Sequence, residues 1–116
     1  MKIKTVSGVF LLACLMCMQP GQAAPASLID TGHKVFKHWC APCHGSGKHM
    51  PGTQALAAKY NGSIPAVLEQ RTDLTPELVR TFVRQGMNIM PPFRKTEISD
   101  AELNALATYL ARKGSH

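Results

Sequence analysis

No stretch constrains this chain more than Cys40-Ala41-Pro42-Cys43-His44. Two thiols three positions apart, with a histidine directly after the second, form the attachment signature of a c-type haem. The thiols can add to the two vinyl groups on one side of a porphyrin. The adjacent imidazole then lies beneath the ring, where it can bind iron. The spacing is therefore set by the macrocycle. Two other chemistries use such pairs. A thioredoxin-type redox pair requires a preceding strand and a βαβ pattern, and neither is legible. A zinc site requires a second ligand pair at finger-like spacing. His33, His38 and His49 are in reach on paper, but there is no second C-x-x-C.

The first 23 residues read as an export signal. Lys2 and Lys4 form a positive start, and Val6 to Met18 is apolar. That run is too short to span a bilayer. Gly21 and Ala23 place small residues at −3 and −1 of a cleavage site, so the mature chain is expected to be one domain over 24–116. The periplasm is the compartment this implies. Cys14 and Cys17 lie within the discarded segment. Leu11-Leu12-Ala13-Cys14 is a weak lipoprotein box, and acylation of Cys14 is the alternative. After cleavage only Cys40 and Cys43 remain. An exported domain whose two cysteines both sit in C-x-x-C-H suits thioether chemistry better than a disulfide scaffold. So short a chain also gains from a cofactor that fills its core.

The formal charge is +6, and loss of Lys2 and Lys4 leaves +4. The basic residues are scattered, with no basic run interleaved with aromatics, which argues against nucleic acid. A mild positive field can steer an acidic protein partner.

The remaining pattern is helical. Ser27 or Asp30 can cap a first helix that runs to about Trp39, with Gly32, Phe36 and Cys40 on one face. A glycine one turn before a phenylalanine points to a second helix crossing closely there. Gly45-Ser46-Gly47 and Pro51-Gly52 read as turns, and the Pro51 carbonyl is a candidate acceptor for the second ring nitrogen of His44. Thr53 to Tyr60 reads as a short helix ended by Asn61-Gly62, and 65–70 as a turn or two. Thr75-Pro76-Glu77 is a helix start, Leu78, Val79, Phe82 and Val83 make a stripe, and Gly86 is a stop. Ser99 and Glu102 form a capping box for a last helix bearing Leu103, Leu106, Ala107 and Leu110. That helix is expected to cross the first near Gly32 and Phe36, through Leu106, Tyr109 and Leu110. No β pattern or internal repeat is present.

Between the last two helices lies Met87-Asn88-Ile89-Met90-Pro91-Pro92-Phe93. A thioether in a proline-stiffened loop suits a sixth iron ligand. Met87 and Met90 both qualify by type, and Met90 is favoured because Pro91-Pro92 holds it. A Met/His ligand pair marks electron carriers. Ala41, Pro42 and residues 87–91 are apolar enough for a contact patch at a haem edge. Arg94 and Lys95 would stand on its charged rim.

Taken together, these parts resemble a class I cytochrome c. The resemblance implies an all-α fold of three to five helices wrapped around one covalently bound haem c. It implies Cys40, Cys43, His44 and Met90 as the cofactor-binding residues, with His44 and Met90 on the metal. Three longer stretches resemble the cytochrome subunit of 4-cresol dehydrogenase (p-cresol methylhydroxylase) flavocytochromes. They begin at Pro51, Arg71 and Met90, the last running Met90-Pro-Pro-Phe-Arg-Lys-Thr-Glu-Ile-Ser-Asp-Ala-Glu-Leu103. That resemblance implies a non-catalytic electron-transfer subunit. Its partner would be a separate FAD-containing subunit that oxidises a 4-alkylphenol. A small copper protein or another cytochrome would be the downstream acceptor. A free periplasmic carrier, and a haem enzyme or gas sensor with an open iron position, are the alternatives.

Overall fold

The structure is a computed structural model that describes residues 24–114. The expected signal segment, with Cys14 and Cys17, lies outside the described residues. The chain is helical, as expected: α1 (Ala26–Val35), α2 (Ala41–His44), α3 (Pro51–Tyr60), α4 (Pro76–Gln85) and α5 (Asp100–Ala111). The sole β-type pairing among the described residues is an isolated bridge, Met87 to Met90. No described helix is long and apolar enough to cross a membrane.

The first helix departs from its expected form in two ways. Pro25, not Ser27 or Asp30, is its N-cap. Proline lacks an N–H and holds φ near the helical value, so it starts a helix without a side-chain bond. At the other end the helix does not stop at Trp39. It widens into one π turn over Phe36–Cys40 and runs on through α2 to His44. Single π turns of this kind occur often at functional sites. Phe36 and Cys40 are both buried, so the widened turn keeps them on the core side.

α1 and α5 form the principal helix crossing, and α4 packs on α5. The crossing is as close as the glycine suggests, with Gly32 buried against Ala105 and Tyr109. The Phe36 and Tyr109 rings stand 6.0 Å apart. Leu106 is fully buried, and Leu110 joins the same core as Val35, Leu74, Val79, Val83, Ile98 and Leu103. Burying Phe36, Ile98 and Leu106 alone contributes roughly 1.5–3 kcal/mol each.

The caps of the last two long helices form as the sequence implies. Thr75 Oγ1 accepts from the Leu78 amide at 3.2 Å, with Pro76 in the first turn. Ser99 and Glu102 complete a capping box, each side chain bonding the other's amide. α3 begins earlier than expected, at Pro51 rather than Thr53, because Pro51 takes the first helical position. Asn61 closes it in the left-handed region with φ 46°. Residues 68–70 make one 3₁₀ turn.

Arg71 is buried, the one charged residue in the core of the described residues. Its Nε donates to Asp73 at 2.9 Å, its second nitrogen forms an ion pair with the same carboxylate, and its guanidinium lies 5.0 Å over the Tyr60 ring. The pair pins the segment between α3 and α4, which carries no regular structure beyond one turn.

Candidate haem site

The sequence-predicted residues fall on two elements. Cys40, Cys43 and His44 share the end of the first helix, Cys40 closing the π turn and the other two in α2. Cys40 is buried and Cys43 exposed, and both are free thiols. Met90 lies in the loop after α4. It is half-buried and packs against the same core cluster that contains Cys40. Met87 is 48% exposed. Of the two candidate methionines, Met90 is therefore the one turned toward the core.

The His44 imidazole is gripped from below. A Cβ at Gly52 would lie 2.6 Å from His44 Cε1 and 2.9 Å from the Cys43 carbonyl oxygen. Only a glycine lets α3 approach the ring so closely. Thr53 holds the same junction, its hydroxyl donating to the Gly45 carbonyl at 2.9 Å. Neither Gly52 nor Thr53 was singled out in the sequence as a site residue. A polar residue just inside a helix that follows C-x-x-C-H by about ten positions would have been the signal.

His44 Nδ1 is buried and has no hydrogen-bond partner. The Pro51 carbonyl, expected as its acceptor, does not take that part. Pro51 is the first residue of α3, so its carbonyl points along that helix to the next turn. Burial lowers the His44 pKa. That favours the neutral imidazole, the form that binds metal. Burial, and after it the neighbouring Cys43, push the Cys40 thiol up to about 12. Exchange-active cysteines have the opposite, a depressed thiol pKa, and the helical setting lacks the βαβ unit of a thioredoxin pair. Among the described residues no three His, Cys, Asp or Glu side chains stand together as a metal cluster. A thiol pair on one helical turn, a neutral imidazole with an orphaned nitrogen and a core-facing thioether fit a haem.

The loop that carries Met90 is a tight reversal. Met87 and Met90 exchange backbone hydrogen bonds of 3.0 and 2.9 Å, and Asn88 takes the left-handed region at φ 53°. Ile89 stands at the tip, 84% exposed. The expected charged rim differs from the sequence reading. Arg94 pairs with Glu97, and Lys95 pairs with Asp100 at 2.7 Å. Lys34, Lys37 and Lys48 have no carboxylate partner among the described residues. Between Thr31 and Leu68 the chain has no acidic residue at all.

A family described as cytochrome c oxidase, cbb3-type, subunit III matches residues 27–110, nearly the whole of the described chain. The chain belongs to the class I c-type cytochromes. Among curated relatives, the cytochrome is 30% identical over 114 residues to cytochrome c6 of Cyanidioschyzon merolae, covering 90% of this chain and 93% of that one. It is 26% identical to cytochrome c6 of Gracilaria tenuistipitata var. liui over 92% and 93% of the two chains. It is 28% identical to that of Pyropia yezoensis over 92% and 91%. The cytochrome is thus a monohaem electron carrier that holds one covalent haem c.

Proposed function

We propose that this cytochrome is the electron-accepting subunit of a flavoprotein that oxidises 4-alkylphenols. The observation that carries the reading is the Met90 to Leu103 stretch, whose resemblance to such subunits extends well past the haem motif. In the structure this stretch forms the return of the Met90 loop and the cap of α5. Beside it Met87 and Ile89 are exposed, as are Pro91 and Pro92. An exposed apolar tip next to a ligand residue suits docking, since apolar centres give an interface its lifetime.

In this reading Cys40 and Cys43 would hold the haem by thioether bonds, and His44 and Met90 would bind its iron. The haem supplies a one-electron couple. The chain's own residues do the rest. α3 packs directly against the imidazole through Gly52. The paired Met87–Met90 backbone limits how far the thioether can swing. Lys34 and Lys37 on the attachment helix, and Lys48 in the turn that follows it, have no carboxylate partner among the described residues and leave a cationic side there, which speeds encounter with an acidic partner. Export and cleavage after Ala23 complete the proposal and place the reaction in the periplasm, with FAD confined to the partner.

The test mixes purified cytochrome, a phenol-oxidising flavoprotein from the same organism and 4-cresol, and follows haem reduction by stopped flow. Rapid reduction and a complex at micromolar concentration are expected. If no such flavoprotein forms a complex, the free-carrier reading takes its place.

A further inference from the structure

We infer that Arg84 is the positioning residue of the distal loop: its guanidinium fixes where Met90 stands, and so governs how easily another ligand displaces the Met90 thioether. The inference rests on the proposal that Met90 is an axial ligand.

Arg84 lies in the last turn of α4. One of its terminal nitrogens donates to the Phe93 carbonyl at 3.0 Å. The other donates to the Ile98 carbonyl and to Asp100 Oδ1, both at 2.9 Å. A single side chain thus ties the end of α4 to the loop's return and to the start of α5. The Phe93 peptide is held twice, because its amide also donates to the Val83 carbonyl at 2.8 Å. The Trp39 ring, on the attachment helix, meets the Phe93 ring edge-on at 5.7 Å.

The grip on Phe93 reaches Met90 through Pro91 and Pro92 alone. Both prolines have φ fixed by their rings, so little rotational slack separates the anchor from the thioether. On the other side Met90 is paired to Met87. Met90 is therefore held from both directions, and Arg84 supplies the downstream hold.

A plain ion pair with Asp100 would be the simpler role. The geometry argues against it. Asp100 also has Lys95 at 2.7 Å, so it keeps a cation without Arg84. No other donor among the described residues reaches the Phe93 and Ile98 carbonyls. Lysine could replace the charge but not the fork, since only a guanidinium presents its donors in a fixed plane to several acceptors.

The ferric holoprotein, Arg84→Gln, Arg84→Lys, Asp100→Asn and Met90→Ala are titrated with imidazole. The far-red iron–sulfur band is followed, and helix content is recorded by circular dichroism. Arg84→Gln and Arg84→Lys are expected to bind imidazole at least tenfold more tightly than the parent at unchanged helix content, with Asp100→Asn within twofold. Should Arg84→Gln fail to fold, Arg84→Lys decides, because it keeps the pair with Asp100. Parent-like affinity in Arg84→Lys overturns the inference, as does an Asp100→Asn protein that matches Arg84→Gln. Met90→Ala should lose the band outright. If it retains the band, the ligand assignment fails and the inference falls with it. If Met90→Ala loses the band and the Arg84 variants behave as the parent, the inference alone fails.

Discussion

A Cβ built on Gly32 would stand 2.2 Å from the Ala105 carbonyl oxygen and 2.6 Å from Tyr109 Cβ. The first obstacle is backbone of α5, which cannot rotate away as a side-chain tip can. Separating α1 from α5 would loosen Phe36, Leu106 and Leu110 together. Gly32→Ala should therefore cost about 3 kcal/mol, a fall of more than roughly 10 °C in Tm. Thermal unfolding of the holoprotein measures it, and a change of a degree or two would show that the helices can part without loss.

The Arg71–Asp73 pair makes a pH-dependent contribution. Hydrogen bonding from Arg71 holds the Asp73 carboxyl below its usual value of 3.8. A carboxyl with a depressed folded pKa adds stability above its unfolded pKa and loses it as pH falls through the folded one. Asp73→Asn leaves the Arg71 charge buried. Because the Asp73 side chain is 41% exposed, solvent screens the pair, and the cost at pH 7 should be about 1–2 kcal/mol rather than that of a fully buried pair. Urea unfolding at pH 7 and near pH 2.5 should show the gap between variant and parent closing in acid. An equal gap at both would mean that the carboxylate charge is not what matters.

Covalent attachment and distal ligation are separable. Acidified acetone should leave the red colour with the protein, and a Cys40→Ala, Cys43→Ala double variant should release it. Met90→Ala should remove the far-red band and lower the reduction potential, since a thioether raises it. Met87→Ala should do neither, because Met87 is half exposed and contributes backbone bonds that alanine keeps. The opposite outcome would assign the ligand to Met87.

For docking, the ion pairs redirect the expectation. Neutralising Lys95 removes a charge already offset by Asp100. Neutralising Lys37 removes an unpaired one on the attachment helix. Lys37→Gln should slow association with an acidic redox partner by roughly three- to tenfold at low salt and flatten its salt dependence, and Lys95→Gln should do so less. A charged residue at Ile89 should instead speed dissociation. Equal effects of the two lysine variants on association would remove the distinction.

Local chemistry made much of this protein legible in its sequence. The haem motif, the Thr75 and Ser99 caps and the glycine-marked crossing each depend on residues close in the chain, so their spacing carries the information. The prolines beside Met90 are local too, and of the two methionines it is Met90 that packs against the core. What depended on distant partners was not legible. Pro51, the candidate acceptor for His44, instead takes the first position of α3, and His44 Nδ1 has no hydrogen-bond partner. Arg94 and Lys95, expected on a charged rim, pair with Glu97 and with Asp100 because the turn before α5 folds those near neighbours back onto them. The hold on His44 by Gly52, the burial of Arg71 against Tyr60 and the threefold grip of Arg84 were decided only in the tertiary structure. A hydrogen bond across a loop is set by how two helices pack, and no periodicity along the chain records where a side chain that long will end.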